Sequence, residues 1–156
     1  MRLKHGMATI FLFVSPTWTF DRLSTELLDV LRERYGTKGI PVFKIDNRIT
    51  KTTKVPAEGG TDVVQVAYGM LKDPDDACAD FKTDEQDAQY GWQILDTDEG
   101  QKLLRDVEIE EYGEGGQRRI RRGFNDMDIV AFTLLDPEID VEGDAQFEVI
   151  WPKLMP

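Results

Sequence analysis

The chain has 156 residues, one histidine, one cysteine and a formal net charge of −11, with 40% hydrophobic and 31% charged residues. That length suits one domain with its own core and is too short for two. The charge disfavours nucleic acid and anionic membranes as partners, and the lone Cys78 rules out an internal disulfide. No apolar run approaches the roughly 18 residues a membrane helix needs, and Met1 to Met7 lacks the apolar stretch of a secretory signal. A cytoplasmic or nuclear protein without a membrane segment is expected.

Residues 1–5 alternate apolar and polar, Gly6-Met7 offers a two-residue turn, and Ala8 to Val14 follows as a β-rich run. This hairpin puts Leu3, Ile10, Leu12 and Val14 on one face and Arg2, Lys4, Thr9, Phe11 and Phe13 on the other. His5 has the parity of the core side. Thr19 suits a helix N-cap, and Phe20, Leu23, Leu27, Val30 and Leu31 recur at steps of three and four up to Gly36. One amphipathic helix is predicted.

Pro41 to Ile45 reads as a short strand, Asp46 to Asp62 as a polar loop and Val63 to Leu71 as a strand of the central sheet. Residues 72–90 form an acidic stretch without periodicity, predicted as a loop insertion. Gly91 to Leu95 is a short strand, followed by a turn at Asp96 to Gly100. Leu103 to Ile109 is predicted to plug its apolar residues into the core. Glu110 to Gly123, within a Gly/Arg-rich stretch at 110–124, reads as a mobile surface loop, and Asp128 to Leu135 as the last strand. The tail, 136–156, is acidic until Phe147 to Trp151, which would add a strand or anchor through its aromatics.

The order strand, turn, strand, long helix, strand, short strand, plug, strand resembles that of ubiquitin. Thr9-Ile10-Phe11-Leu12-Phe13-Val14-Ser15-Pro16-Thr17-Trp18-Thr19-Phe20 is similar to ubiquitin's second strand and the start of its helix, and Gly39-Ile40-Pro41 to the segment after that helix. Val66-Ala67-Tyr68-Gly69 and Gly91 to Asp96 look like its third and fourth strands, pushed apart by the insertion. Leu104 to Ile109 resembles the segment before the last strand, and Asp126 to Phe132 the acidic turn and strand that end such domains. The resemblance implies a single α+β domain over 1–156 of ubiquitin-like β-grasp type: a mixed sheet on one main helix, with loop insertions. The chain closes on Pro152 to Pro156, and its late Gly115-Gly116 precedes the final strand. A non-conjugated member is therefore expected, a modifier being the weaker alternative.

The implied function is protein binding, as an adaptor or complex subunit. Phe11 and Phe13 stand where isolated ubiquitin-like domains are normally polar. Either the insertion or the Phe147–Trp151 tail covers them, or they dock a partner. The outward residues of the last strand, Ile129, Ala131 and Thr133, form a second candidate surface, near the one ubiquitin presents to its receptors. Arg118, Arg119, Arg121 and Arg122 form a basic run suited to RNA or nucleoprotein. Against it stand the acidic whole and the scarcity of interleaved aromatics, so a solvated loop neutralising nearby acids is the plainer account.

No enzyme, cofactor or metal is expected. Asp73 to Asp80 lacks the glycine and glutamate of a calcium loop and carries Pro74. Ser15 and Ser24 lie in no nucleophile-elbow motif, and Cys78 lies among acids that raise its thiol pKa. The glycines at 113–116 lead into arginines and not into a phosphate-cradling helix.

Overall fold

A computed structural model describes residues 1–6, 8–43, 49–56, 65–71, 92–112, 116–126, 128–135 and 147. The insertion at 72–90, with Cys78 and Asp73 to Asp80, lies outside them, as does the tail apart from Phe147.

β1 (Arg2–His5) and β2 (Ala8–Phe11) form the expected antiparallel hairpin, with Leu3 opposite Ile10 and His5 opposite Ala8. Gly6 takes φ +58° in the connection, a conformation glycine adopts without penalty. β2 ends at Phe11, three residues before the predicted limit. Leu12 still exchanges backbone bonds with Met1 (Leu12 N–H to Met1 O 3.0 Å, Met1 ammonium to Leu12 O 2.9 Å). Ser15 and Pro16 then turn the chain towards the helix.

α1 (Phe20–Tyr35) buries Phe20, Leu23, Leu27 and Leu31. The Thr19 hydroxyl accepts from the Arg22 N–H at 3.2 Å, and Gly36 at φ +53° ends the helix. Helix amides that lack an intrahelical carbonyl must find other partners. The turn at 96–102 supplies two: Phe20 N–H donates to Lys102 O (3.1 Å) and Asp21 N–H to Gly100 O (2.9 Å). That turn holds Asp98 and Glu99 at positive φ. The Asp98 N–H donates to the Asp96 carboxylate, and this bond, with Lys102 beside it, keeps the Asp96 carboxyl below its ordinary pKa.

Beyond the helix the strands are β3 (Ile40–Phe43), β4 (Ile49–Thr53), β5 (Gln65–Leu71), β6 (Trp92–Ile94), β7 (Glu108–Tyr112), β8 (Arg118–Arg122) and β9 (Ile129–Leu135). β5, β6 and β9 complete the main sheet, whose order is β2-β1-β9-β5-β6, with β1 and β9 parallel and the other pairs antiparallel. Among the described residues the fold is α+β, one α-helix on a mixed five-stranded sheet. Leu3, Ile10, Val66, Tyr68, Met70, Val130 and Phe132 meet the helix stripe. Tyr68 packs on Phe20 (ring centroids 5.4 Å apart) and shares a 2.8 Å hydrogen bond with Ser24; burial drives its hydroxyl pKa well up, so it stays protonated.

Two strand pairs flank the sheet. β3–β4 occupies part of the predicted Asp46–Asp62 loop: Ile-Thr-Lys-Thr-Thr carries little apolar signal, yet pairs with Ile40 to Phe43. β7–β8 replaces the predicted mobile loop at 110–123. Glutamates and arginines face one another across its register, so the strands hold through charge pairs where the sequence shows no hydrophobic alternation. The plug is as predicted: a 3₁₀ turn at Leu104–Asp106, with Leu104, Val107 and Ile109 buried.

Gly100 sits at φ +88°, and a Cβ there would overlap the Asp21 carboxylate. Gly100→Ala should therefore lower stability by about 1–3 kcal/mol in denaturant titration. Adding Asp21→Ala should recover only the steric part, since the backbone strain remains.

Candidate functional site

Alternation along the strands sends Arg2, Lys4, Thr9, Phe11, Ile129, Ala131, Thr133, Ala67 and Gly69 to the face opposite α1. This face divides into an open margin and a covered centre.

The margin is β2. Since Met1 and Leu12 exchange both bonds, antiparallel alternation makes Leu3–Ile10 and His5–Ala8 the bonded pairs. The backbone groups of Thr9 and Phe11 then point to the free edge. The Thr9 carbonyl accepts from Arg34 Nη1 at 3.2 Å. Phe11 is 71% exposed and Phe13 fully exposed. The predicted covers, the insertion and the Phe147–Trp151 tail, lie outside the described residues apart from Phe147, which sits on the centre of this face, and both rings are largely in water. Each forgoes the roughly 1.5–3 kcal/mol that burial would contribute.

The centre is a depression floored by Ala67, Gly69 and Ala131, and Phe147 fills it at 2% exposure. A Cβ on Gly69 would fall 2.5 Å from Phe147 Cε2, so only glycine leaves room for the ring. Leu135 and half-buried Trp92 wall the seat, the Trp92 and Phe147 rings lying 6.0 Å apart at 45°. Of the three last-strand candidates, Ala131 is thus buried beneath Phe147, while Ile129 and Thr133 remain half-buried on either side of it. Parity located these residues; nothing local in the sequence marks a distant phenylalanine as their cover. Lys4, paired with Ala131, is held below its ordinary pKa by partial burial and by Arg2.

The four candidate arginines lie on β8 rather than in a loop. Arg121 donates to both Asp128 oxygens (2.9 Å), to Gly123 O (2.7 Å) and to Glu111. Burial pulls its guanidinium pKa down, but the two carboxylates outweigh this and hold it above the ordinary value. Arg118 pairs with Glu110 at 3.1 Å and Arg122 with Glu108 at 3.9 Å. Arg119 is exposed, as is Ile120 (58%). A strand whose cations face carboxylates offers little positive field to a phosphate backbone. The hairpin is fastened to β6 by Gln93, whose side-chain amide donates to Glu110 O (2.6 Å) and accepts from its N–H (3.0 Å).

His5 is buried, as its parity predicts, with Nδ1 3.0 Å from Phe132 O and Nε2 2.6 Å from Thr53 Oγ1. A carbonyl only accepts, so Nδ1 carries a proton, and both ring nitrogens are engaged in tying β1 to β9 and β4. Among the described residues no three potential metal ligands cluster, and no helix is long and apolar enough to cross a membrane. No protein-family model, curated protein or solved structure matches the chain.

The arginines should separate in denaturant titrations. Arg121→Met removes the cation from Asp128, which keeps the Asn125 N–H (2.7 Å), and from Glu111 while both are largely shielded from water, and should cost about 2–3 kcal/mol. Arg118→Ser and Arg122→Ser, on exposed pairs, should each cost under about 1 kcal/mol.

Proposed function

We infer that the chain is a ubiquitin-like β-grasp domain that binds a partner protein as an adaptor or complex subunit in the cytoplasm or nucleus, without catalysing a reaction or being conjugated. The fold part draws on the order β2-β1-β9-β5-β6, with the first and last strands as parallel neighbours and the one long helix following the opening hairpin. The observation that carries the binding part is the exposure of Phe11 and Phe13 at the sheet margin. Aromatic side chains supply much of the energy of protein interfaces because one ring removes a large apolar area from water with few rotors to fix. Ile129, half-buried two strands away, extends the same face.

The test begins with recovery of a stoichiometric partner from the native host. That partner, once purified, is titrated against the wild type and the Phe11→Ser/Phe13→Ser double variant. Because both rings are already in water, the variant should keep its unfolding free energy to within about 0.5 kcal/mol per site. Its affinity for the partner should fall at least about tenfold. Undiminished affinity in the folded variant would remove this reading.

A further inference from the structure

The Phe147 seat stands apart from the main core. It is a separate cluster on the far face of the sheet, with Ala67, Ala131 and Leu135 as its other buried members. Its floor owes its depth to missing side-chain volume: alanine at 67 and 131, and a glycine at 69 where any Cβ would strike the ring. The ring that fills it comes from beyond β9 and belongs to none of the strands. Its sequence context is acidic, with Asp140, Glu142 and Asp144 before it and Glu148 after it. Lys4 pairs with Ala131 in the floor, and Arg2 is its neighbour on the same face, so the seat has a basic border on one side.

We propose that the Ala67–Gly69–Ala131 depression is a receptor site for an aromatic side chain in an acidic segment, that Phe147 is its ligand in cis, and that a partner segment of this chemistry binds by displacing Phe147. Burial of the Phe147 ring closes the seat, and an incoming aromatic would replace that burial with its own. Opening it uncovers Ala67, Ala131 and Leu135, which belong to a cluster separate from the helix-side core. Phe147 defines what fits the floor, an aromatic, and the acids that flank it in the sequence are complementary in charge to Arg2 and Lys4. The site is distinct from Phe11 and Phe13 and does not depend on the binding role given to them.

The probe is a fluorescent peptide of residues 140–151, followed by anisotropy with full-length protein. Phe147→Ala, its seat vacant, should bind the peptide about ten- to a hundredfold more tightly than the wild type does. Alanine at the phenylalanine of the peptide should abolish the gain, as should Gly69→Ala added to the Phe147→Ala protein. Phe11→Ser/Phe13→Ser should leave it unchanged, which separates this site from the margin. A folded Phe147→Ala protein that binds the peptide no better than wild type overturns the proposal. Should Phe147→Ala fail to fold, Phe147→Leu takes its place, with a smaller gain expected. If the leucine variant folds without any gain, or does not fold either, Phe147 is an integral part of the fold and the proposal is wrong.

Discussion

A single helix can cover one face of a five-stranded sheet and no more. Here α1 gives its stripe of Phe20, Leu23, Leu27 and Leu31 to the face carrying Leu3, Ile10, Val66, Tyr68, Val130 and Phe132. Because side chains alternate, every second residue of the same strands is sent to the opposite face. That face must be polar, covered by something else, or left apolar and available. The protein uses all three solutions side by side: Arg2, Lys4 and Thr9 are polar, Ala67 and Ala131 are covered by Phe147, and Phe11 and Phe13 are left in water.

The elements legible in the sequence are those whose signal is hydrophobic periodicity. The opening hairpin and α1 can be read because their apolar residues recur at two and at three to four, with a cap at Thr19 and a stop at Gly36. β4 and the β7–β8 hairpin escape such a reading because their strands hold by other means. In Glu108–Tyr112 and Arg118–Arg122 the pairing is carried by facing charges, by Arg121 gripping Asp128, and by Gln93 presenting a side-chain amide where a neighbouring strand would present a peptide. Glycines and like charges clustered along the chain resemble a loop; opposite charges facing across a turn make a strand. The difference lies in pairing, which a one-dimensional pattern does not contain.

The same holds for the candidate site. The two phenylalanines of the opening hairpin can be assigned to the outward face by counting parity, and both rings are exposed. Ala131 can be assigned to that face too, but its burial depends on a contact with a residue sixteen positions later. The basic run is conspicuous as composition, yet three of its four arginines face carboxylates of the adjoining strand or turn. In a chain of net charge −11, arginines opposite Glu108 and Glu111 avoid the repulsion that a second acidic strand would bring.

Gly69 shows how closely the two faces are linked. It sits in β5 between Tyr68 and Met70, which point into the helix-side core, and pairs with Ala131 on one side and Ile94 on the other. Glycine inside a strand weakens it and often marks a close approach from outside. Here the approaching group is the Phe147 ring, so the strand gives up local stability at one position to receive an aromatic. The helix-side neighbours Tyr68 and Met70, tied into the main core, keep β5 in place despite that weak point. The small residues at 67, 69 and 131 thus form one surface that receives an aromatic on the far face, while the large residues between and beside them pack against the helix.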